Sequence, residues 1–209
     1  MPLDLWLAFV AASIALLLIP GPTVLLVLSY ALSKGRSVAL ASAAGVALGD
    51  LVAMTASLAG LGALVLTSAT LFTALKYIGA VYLVWLGVKL IRSAPSGGLH
   101  MPASHDVTAR QVFAHNAAVT ALNPKGIAFF IAFVPQFITP TAPLLPQFAM
   151  LIATFVTLAA LNALAYALVA DRLRKLIARP VIITWITRAG GGALICMGIL
   201  TASLRRSTA

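Results

Sequence analysis

The chain has 209 residues, 62% of them hydrophobic and only 9% charged, with a mean hydropathy of +1.07. Soluble domains carry roughly 25% charged and about 45–50% apolar residues, so this composition excludes a water-soluble globular domain and indicates an integral membrane protein. A net charge of +10 would point a soluble chain toward nucleic acid, but here the basic residues fall between apolar runs, which argues against that partner.

One bilayer crossing needs about 20 apolar residues, and runs of that kind predict six helices, near 5–32, 38–66, 70–91, 111–135, 146–170 and 181–204. The first has no charged residue over the 29 positions from Leu5 to Ser33, yet its centre reads Pro20-Gly21-Pro22, the two poorest helix formers. It is too long for a signal peptide, begins with Asp4 instead of a basic region, and continues past Gly and Pro. The second helix carries Gly45-x-x-x-Gly49 followed by Asp50, a spacing that lets another helix approach closely. Lys76 in the third and Arg188 in the sixth lie within two turns of a helix end and reach the interface with their long stems.

Between the third and fourth helices, Ser93 to Arg110 is the one long polar stretch. It holds His100, His105 and Asp106 without metal-ligand spacing and reads as a flexible loop. The fourth helix is broken by Asn123-Pro124-Lys125, and the fifth carries Asn162. Trp6, Tyr77 and Trp185 sit near helix ends as interfacial anchors. Cys196, the single cysteine, excludes an internal disulfide and is expected in the apolar core.

Charge orients these crossings. Nine basic residues (Lys34, Arg36, Lys89, Arg92, Arg110, Arg172, Arg174, Lys175 and Arg179) occupy the first, third and fifth connections, against Arg205 and Arg206 on the other face. The positive-inside rule makes those connections cytoplasmic and puts both termini outside. The chain then divides into a three-helix half at 1–92, a cytoplasmic loop at 93–110 and a second three-helix half at 111–209. An odd number of crossings per half inverts the second relative to the first. A shift of 111 residues places Thr73 on Thr184, Gly79 on Gly190, Leu83 on Leu194 and Gly87 on Gly198. The predicted fold is therefore an all-α membrane protein of two inverted three-helix repeats, with helices one and four broken at proline.

Interrupted helices in corresponding places of inverted halves point to a transporter binding site. After each break a new half-helix begins, with unsatisfied N–H groups and the positive end of a dipole. Two such ends suit a carboxylate, and Lys125 adds a full positive charge. Asp50 suits an ammonium group or a transported proton. A charge at the bilayer centre costs at least ~2.5–3.5 kcal/mol, so Asp50 and Lys125 need a reason to be there; pairing with each other is a partly structural one. Thr23, directly after the first break, and Asn162 complete the candidate set. No enzyme signature is visible: there is no Glu, no His pair at metal spacing and no Gly-rich phosphate loop, and no cofactor or metal is expected. A channel would show a continuous polar stripe along one helix, and a scaffold would not need Asp50 and Lys125.

The segments LLLIPGPTVLLVL, GVALGD, KYIGAVYLVWLGVKLIR and NPKGIAFFIAFVPQF resemble, in order and spacing over about residues 5–204, the LysE/RhtB family of bacterial amino-acid exporters. The resemblance implies proton-linked efflux of amino acids from the cytoplasm across the inner membrane, with the central motifs falling on Pro20, Gly21, Pro22, Gly49, Asp50, Asn123, Pro124 and Lys125. It departs from the family pattern before the second break, where this chain has Asn116 and Thr120 in place of the more usual Gly and Asn. The family includes exporters of lysine and arginine as well as of threonine, homoserine, leucine and other neutral amino acids. One buried acid favours a neutral substrate or a close derivative, with basic amino acids as the alternative. Partners are then the amino acid, protons and the lipid bilayer, with homo-oligomerisation left open.

Overall fold

The computed structural model describes residues 1–19, 21–67, 69–92, 107–139, 142–177 and 180–203, so Pro20 and the loop histidines His100 and His105, with Asp106, lie outside the described residues. Its elements are α1 (Leu3–Leu18), α2 (Pro22–Lys34), α3 (Ala39–Thr67), α4 (Ala69–Arg92), α5 (Ala109–Ala121), α6 (Pro124–Ala128), α7 (Leu144–Ile177) and α8 (Pro180–Ser203). The expected break divides the first crossing into α1 and α2 and the fourth into α5 and α6. After α6 the chain winds through a π turn at Phe129–Phe133 and a 3-10 turn at Val134–Phe137, where Pro135 removes one backbone donor. Six crossings result, and the described residues contain only helices and their connections.

Helix ends follow local chemistry. α5 starts at Ala109, inside the stretch read as connection, because Thr108 and Gln111 form a reciprocal capping box. Between the fourth and fifth crossings, buried Gln147 accepts from the Thr139 amide and donates to the carbonyls of Thr139, Ala142 and Pro143. One side chain thus serves four backbone groups of that connection.

Small residues set how closely the helices approach, as expected where lipid is as apolar as the side chains themselves. The Gly45–Gly49 groove of α3 seats α5 of the same chain. A Cβ on Gly45 would collide with the Phe113 carbonyl, and one on Gly49 would lie 2.6 Å from the Ala117 carbonyl oxygen. That face is filled internally. On the opposite side of the bundle α4 crosses α8 at Gly87, where an added Cβ would meet Gly191 and Ile195; at Gly198 it would meet Ala80 and Val84. Shifting 87, 80 and 84 by 111 gives 198, 191 and 195, so each contact is the image of the other. The α4–α8 contact is therefore symmetric under that shift, and Leu83 and Leu194, equivalent under it, are both fully buried.

A cluster of phenylalanines fills the bundle on the side where α1 begins: Phe9, Phe129, Phe130, Phe133, Phe137 and Phe155, with ring centroids 4.9–6.5 Å apart. Cys196, expected in the core, is exposed on the outer face of α8; that helix's buried positions go to Leu194, Met197 and Gly198. Tyr77 and Trp185 also face outward, whereas the Trp6 indole donates to Thr154 Oγ1 at 3.0 Å and ties α1 to α7. Arg188 is exposed, as a snorkelling side chain should be.

If the groove seats α5, Gly45→Ala should lower the melting temperature of the purified protein, at a cost of about 1–3 kcal/mol for overpacking. Gly60→Ala on the same helix, where an added Cβ meets nothing within 4 Å, should leave it unchanged or raise it. Equal melting of the two variants would contradict the packing.

Candidate functional site

The breaks create the site. The last carbonyls of a helix have no partner within it, and in lipid no water replaces one, so each orphan costs several kcal/mol. α1 ends with Leu16, Leu17, Leu18 and Ile19, and all four carbonyls are taken. Leu16 accepts from the Ile19 amide at 3.2 Å and from Lys125 Nζ at 3.1 Å. Leu17 accepts from Asn162 Nδ2 at 3.2 Å, Leu18 from the Tyr166 hydroxyl at 3.3 Å and Ile19 from Lys125 Nζ at 2.9 Å. Asn162 and Tyr166 stand four residues apart on one face of α7. A cation at a helix C-terminus also complements the dipole. The end of a helix in the first half is therefore held by three side chains from the second.

Gly21 lies alongside the lysine: a Cβ there would sit 3.4 Å from Lys125 Nζ and 3.5 Å from its Cε, in ordinary van der Waals contact. Pro22 and Pro124 are exposed on the outside of the bundle; they shape the backbone and do not line the cavity.

The second break is satisfied differently. Leu122 and Asn123 donate back to the carbonyls of Ala118 and Thr120, closing α5 on itself. The Asn123 side chain then caps α6, accepting from the Lys125 amide at 3.0 Å, and donates to Thr23 Oγ1 at 3.1 Å. Thr23 and Thr120 hydroxyls lie 3.3 Å apart. The expected pair of open helix N-termini thus reduces to one: α6 is capped by Asn123, whereas α2 has no side-chain cap. Lys125, expected to face a carboxylate, is turned to carbonyl oxygens.

A cavity of about 40 Å³ lies where the two breaks meet, lined among others by Gly21, Thr23, Asp50, Thr120, Asn123, Lys125, Asn162 and Tyr166. A water needs roughly 10–15 Å³ on this measure, so the space holds a few waters, and an amino acid enters only when the walls part. Asp50 is 7% exposed, and its charge and that of Lys125 attract one another. Among the described residues no hydrogen bond closer than that attraction engages its carboxylate. Gly49 is not at the cavity; it is spent on contact with α5. On one side the phenylalanine cluster closes the bundle, and on the other Tyr30 Oη and His115 Nδ1, 2.7 Å apart, join α2 to α5.

The sequence reading missed Tyr166. Its only signal was the four-residue spacing from Asn162, which places both on one helix face. The departures before the second break divide in role: Thr120 lines the cavity, while Asn116, fully buried, lies beneath Gly45 and donates to the Val112 carbonyl at 2.8 Å.

Comparison with known proteins identifies the family. The model of the LysE type translocator family matches residues 14–204. The chain is 34% identical over 206 residues to an uncharacterized membrane protein of Vibrio cholerae serotype O1, covering 98% of this chain and all of that one. It is 32% identical over 207 residues to proteins named homoserine/homoserine lactone efflux protein in Salmonella typhimurium and Salmonella typhi, covering 99% of this chain and all of each relative. No solved structure matches significantly. The chain belongs to the LysE type translocator family, and it is a transporter and not an enzyme.

Proposed function

We propose that this protein exports neutral amino acids, of the threonine, homoserine or leucine kind, or close derivatives, from the cytoplasm across the bacterial inner membrane by proton antiport. The observation that carries the reading is Asp50, the one buried acid among the described residues, lining a cavity where both helix breaks meet, with Lys125 as its countercharge. One acid serves one ammonium group or one proton. A lysine or arginine substrate would bring a second positive charge with no second acid to receive it, which favours neutral substrates over basic ones. The relatives' printed name adds a chemical constraint: homoserine and its lactone share an ammonium group, while the lactone has no free carboxylate. A site that grips chiefly the ammonium accepts both.

The carboxylate of a zwitterionic substrate has one open place, the uncapped first turn of α2 beside Gly21 and Thr23. Proton coupling supplies the work: one proton moved down 100 mV yields about 2.3 kcal/mol. Asp50 is the group to carry it, since no other acid is placed at mid-membrane by the sequence.

Counterflow in proteoliposomes against a panel of amino acids tests the substrate class. Homoserine and threonine should exchange and lysine should not; exchange of lysine alone would overturn the reading. In the same assay Asp50→Asn should lose proton-driven efflux while still reaching the membrane. A variant that exports normally and follows a pH gradient would remove Asp50 from the coupling.

Orientation follows from the distribution of basic residues. In a Cys196→Ser background, a cysteine at exposed Ser37 should react only with reagent on the cytoplasmic side, and one at exposed Pro143 only from outside. The reversed pattern would refute the placement of both termini outside.

A further inference from the structure

The end of α1 presents four consecutive backbone carbonyls, Leu16 to Ile19, and two of them hold an ammonium group at 3.1 and 2.9 Å. That ammonium belongs to Lys125, but the chemistry is not particular to lysine. An amino acid's α-ammonium has the same charge and the same three N–H donors. We propose that the C-terminal end of α1 is an ammonium-binding site, filled by Lys125 in the empty transporter and by the α-ammonium of the exported amino acid in the loaded one. The substrate half of this statement rests on the export reading above; the site itself does not.

Three features favour exchange over a permanent tie. Gly21 does not clamp the lysine stem: even an added Cβ there would make only ordinary van der Waals contact with it, at 3.4 Å from Nζ and 3.5 Å from Cε. Asp50, with no hydrogen bond of its own among the described residues, attracts the same ammonium and is the place for it to go. Asn162 and Tyr166 hold the neighbouring Leu17 and Leu18 carbonyls independently of Lys125, which keeps the end of α1 in shape while the cation is exchanged. Carbonyls left to the few waters of the cavity are weakly satisfied compared with those holding an ammonium, so arrival of a second ammonium favours departure of the first. In this scheme Asn162 and Tyr166 are positioning residues.

Purified Lys125→Ala protein tests the site. Its melting temperature should fall below wild type, and ethylammonium chloride, which restores an ammonium in the vacated space, should raise it again. Tetramethylammonium chloride, with the same charge and no N–H donor, should not. Equal effects of the two salts, or none from either, would overturn the proposal. Lys125→Met, which keeps the bulk of the chain and removes the charge, provides the second arm: homoserine should bind on the order of tenfold tighter than to wild type, because no tethered competitor remains to be displaced, while counterflow slows. Loss of homoserine binding in Lys125→Met would show that the lysine holds the substrate's carboxylate and would refute the exchange. Ethylammonium rescue in a protein whose wild type moves no amino acid would support the site and count against the export reading alone, so the two fail separately.

Discussion

A helix that stops inside a bilayer leaves carbonyl groups with no water to turn to, and the rest of this structure depends on how those groups are satisfied. α1 stops at Leu18, and its last carbonyls are received by Lys125, Asn162 and Tyr166. None of these residues belongs to the same half of the chain. The first half therefore cannot complete its own interrupted helix, and the two halves are joined at the proposed binding site. Lys125 gains from the arrangement as well, since a cation at mid-membrane needs both acceptors and a countercharge. It has carbonyls from α1 and attraction from Asp50.

The two breaks are related by inversion but differ in how they are closed. The second is closed by its own backbone and by the Asn123 side chain, whereas the first is closed from outside. A joint held by exchangeable side chains moves at lower cost than one held by its own backbone, so α1 is the element expected to shift as the transporter opens. The α4–α8 crossing, with glycines on both sides, and the α3–α5 groove are close backbone contacts. They leave little room for deformation.

Much of this was legible in the sequence because bilayer physics leaves few choices. Runs of 20 and more apolar residues admit only helices, and Pro20-Gly21-Pro22 and Asn123-Pro124-Lys125 marked the breaks to within a residue or two. The 111-residue shift, weak as a set of four identities, proved to be the symmetry of the α4–α8 contact. What the sequence left hidden was direction. It placed Lys125 at the site but not which end of which half-helix it would face, because a lysine after a proline is equally near the N-terminus it follows and the C-terminus across the cavity. Gly45-x-x-x-Gly49 likewise announced a close approach without naming α5. Tyr166 drew no reading at all, and Cys196 was read inward because a free cysteine is usually a small buried apolar residue, whereas in a lipid-facing helix an apolar residue is as well placed outside.

The measurement that bears most directly on the central claim, that one helix end serves as receptor for an ammonium group, is an experimental structure of the wild-type protein with homoserine bound. The account predicts the ligand's ammonium within hydrogen-bonding distance of the Leu16 and Ile19 carbonyls, and Lys125 withdrawn toward Asp50. A ligand whose carboxylate sits on Lys125, with the lysine still anchored to α1, would contradict it.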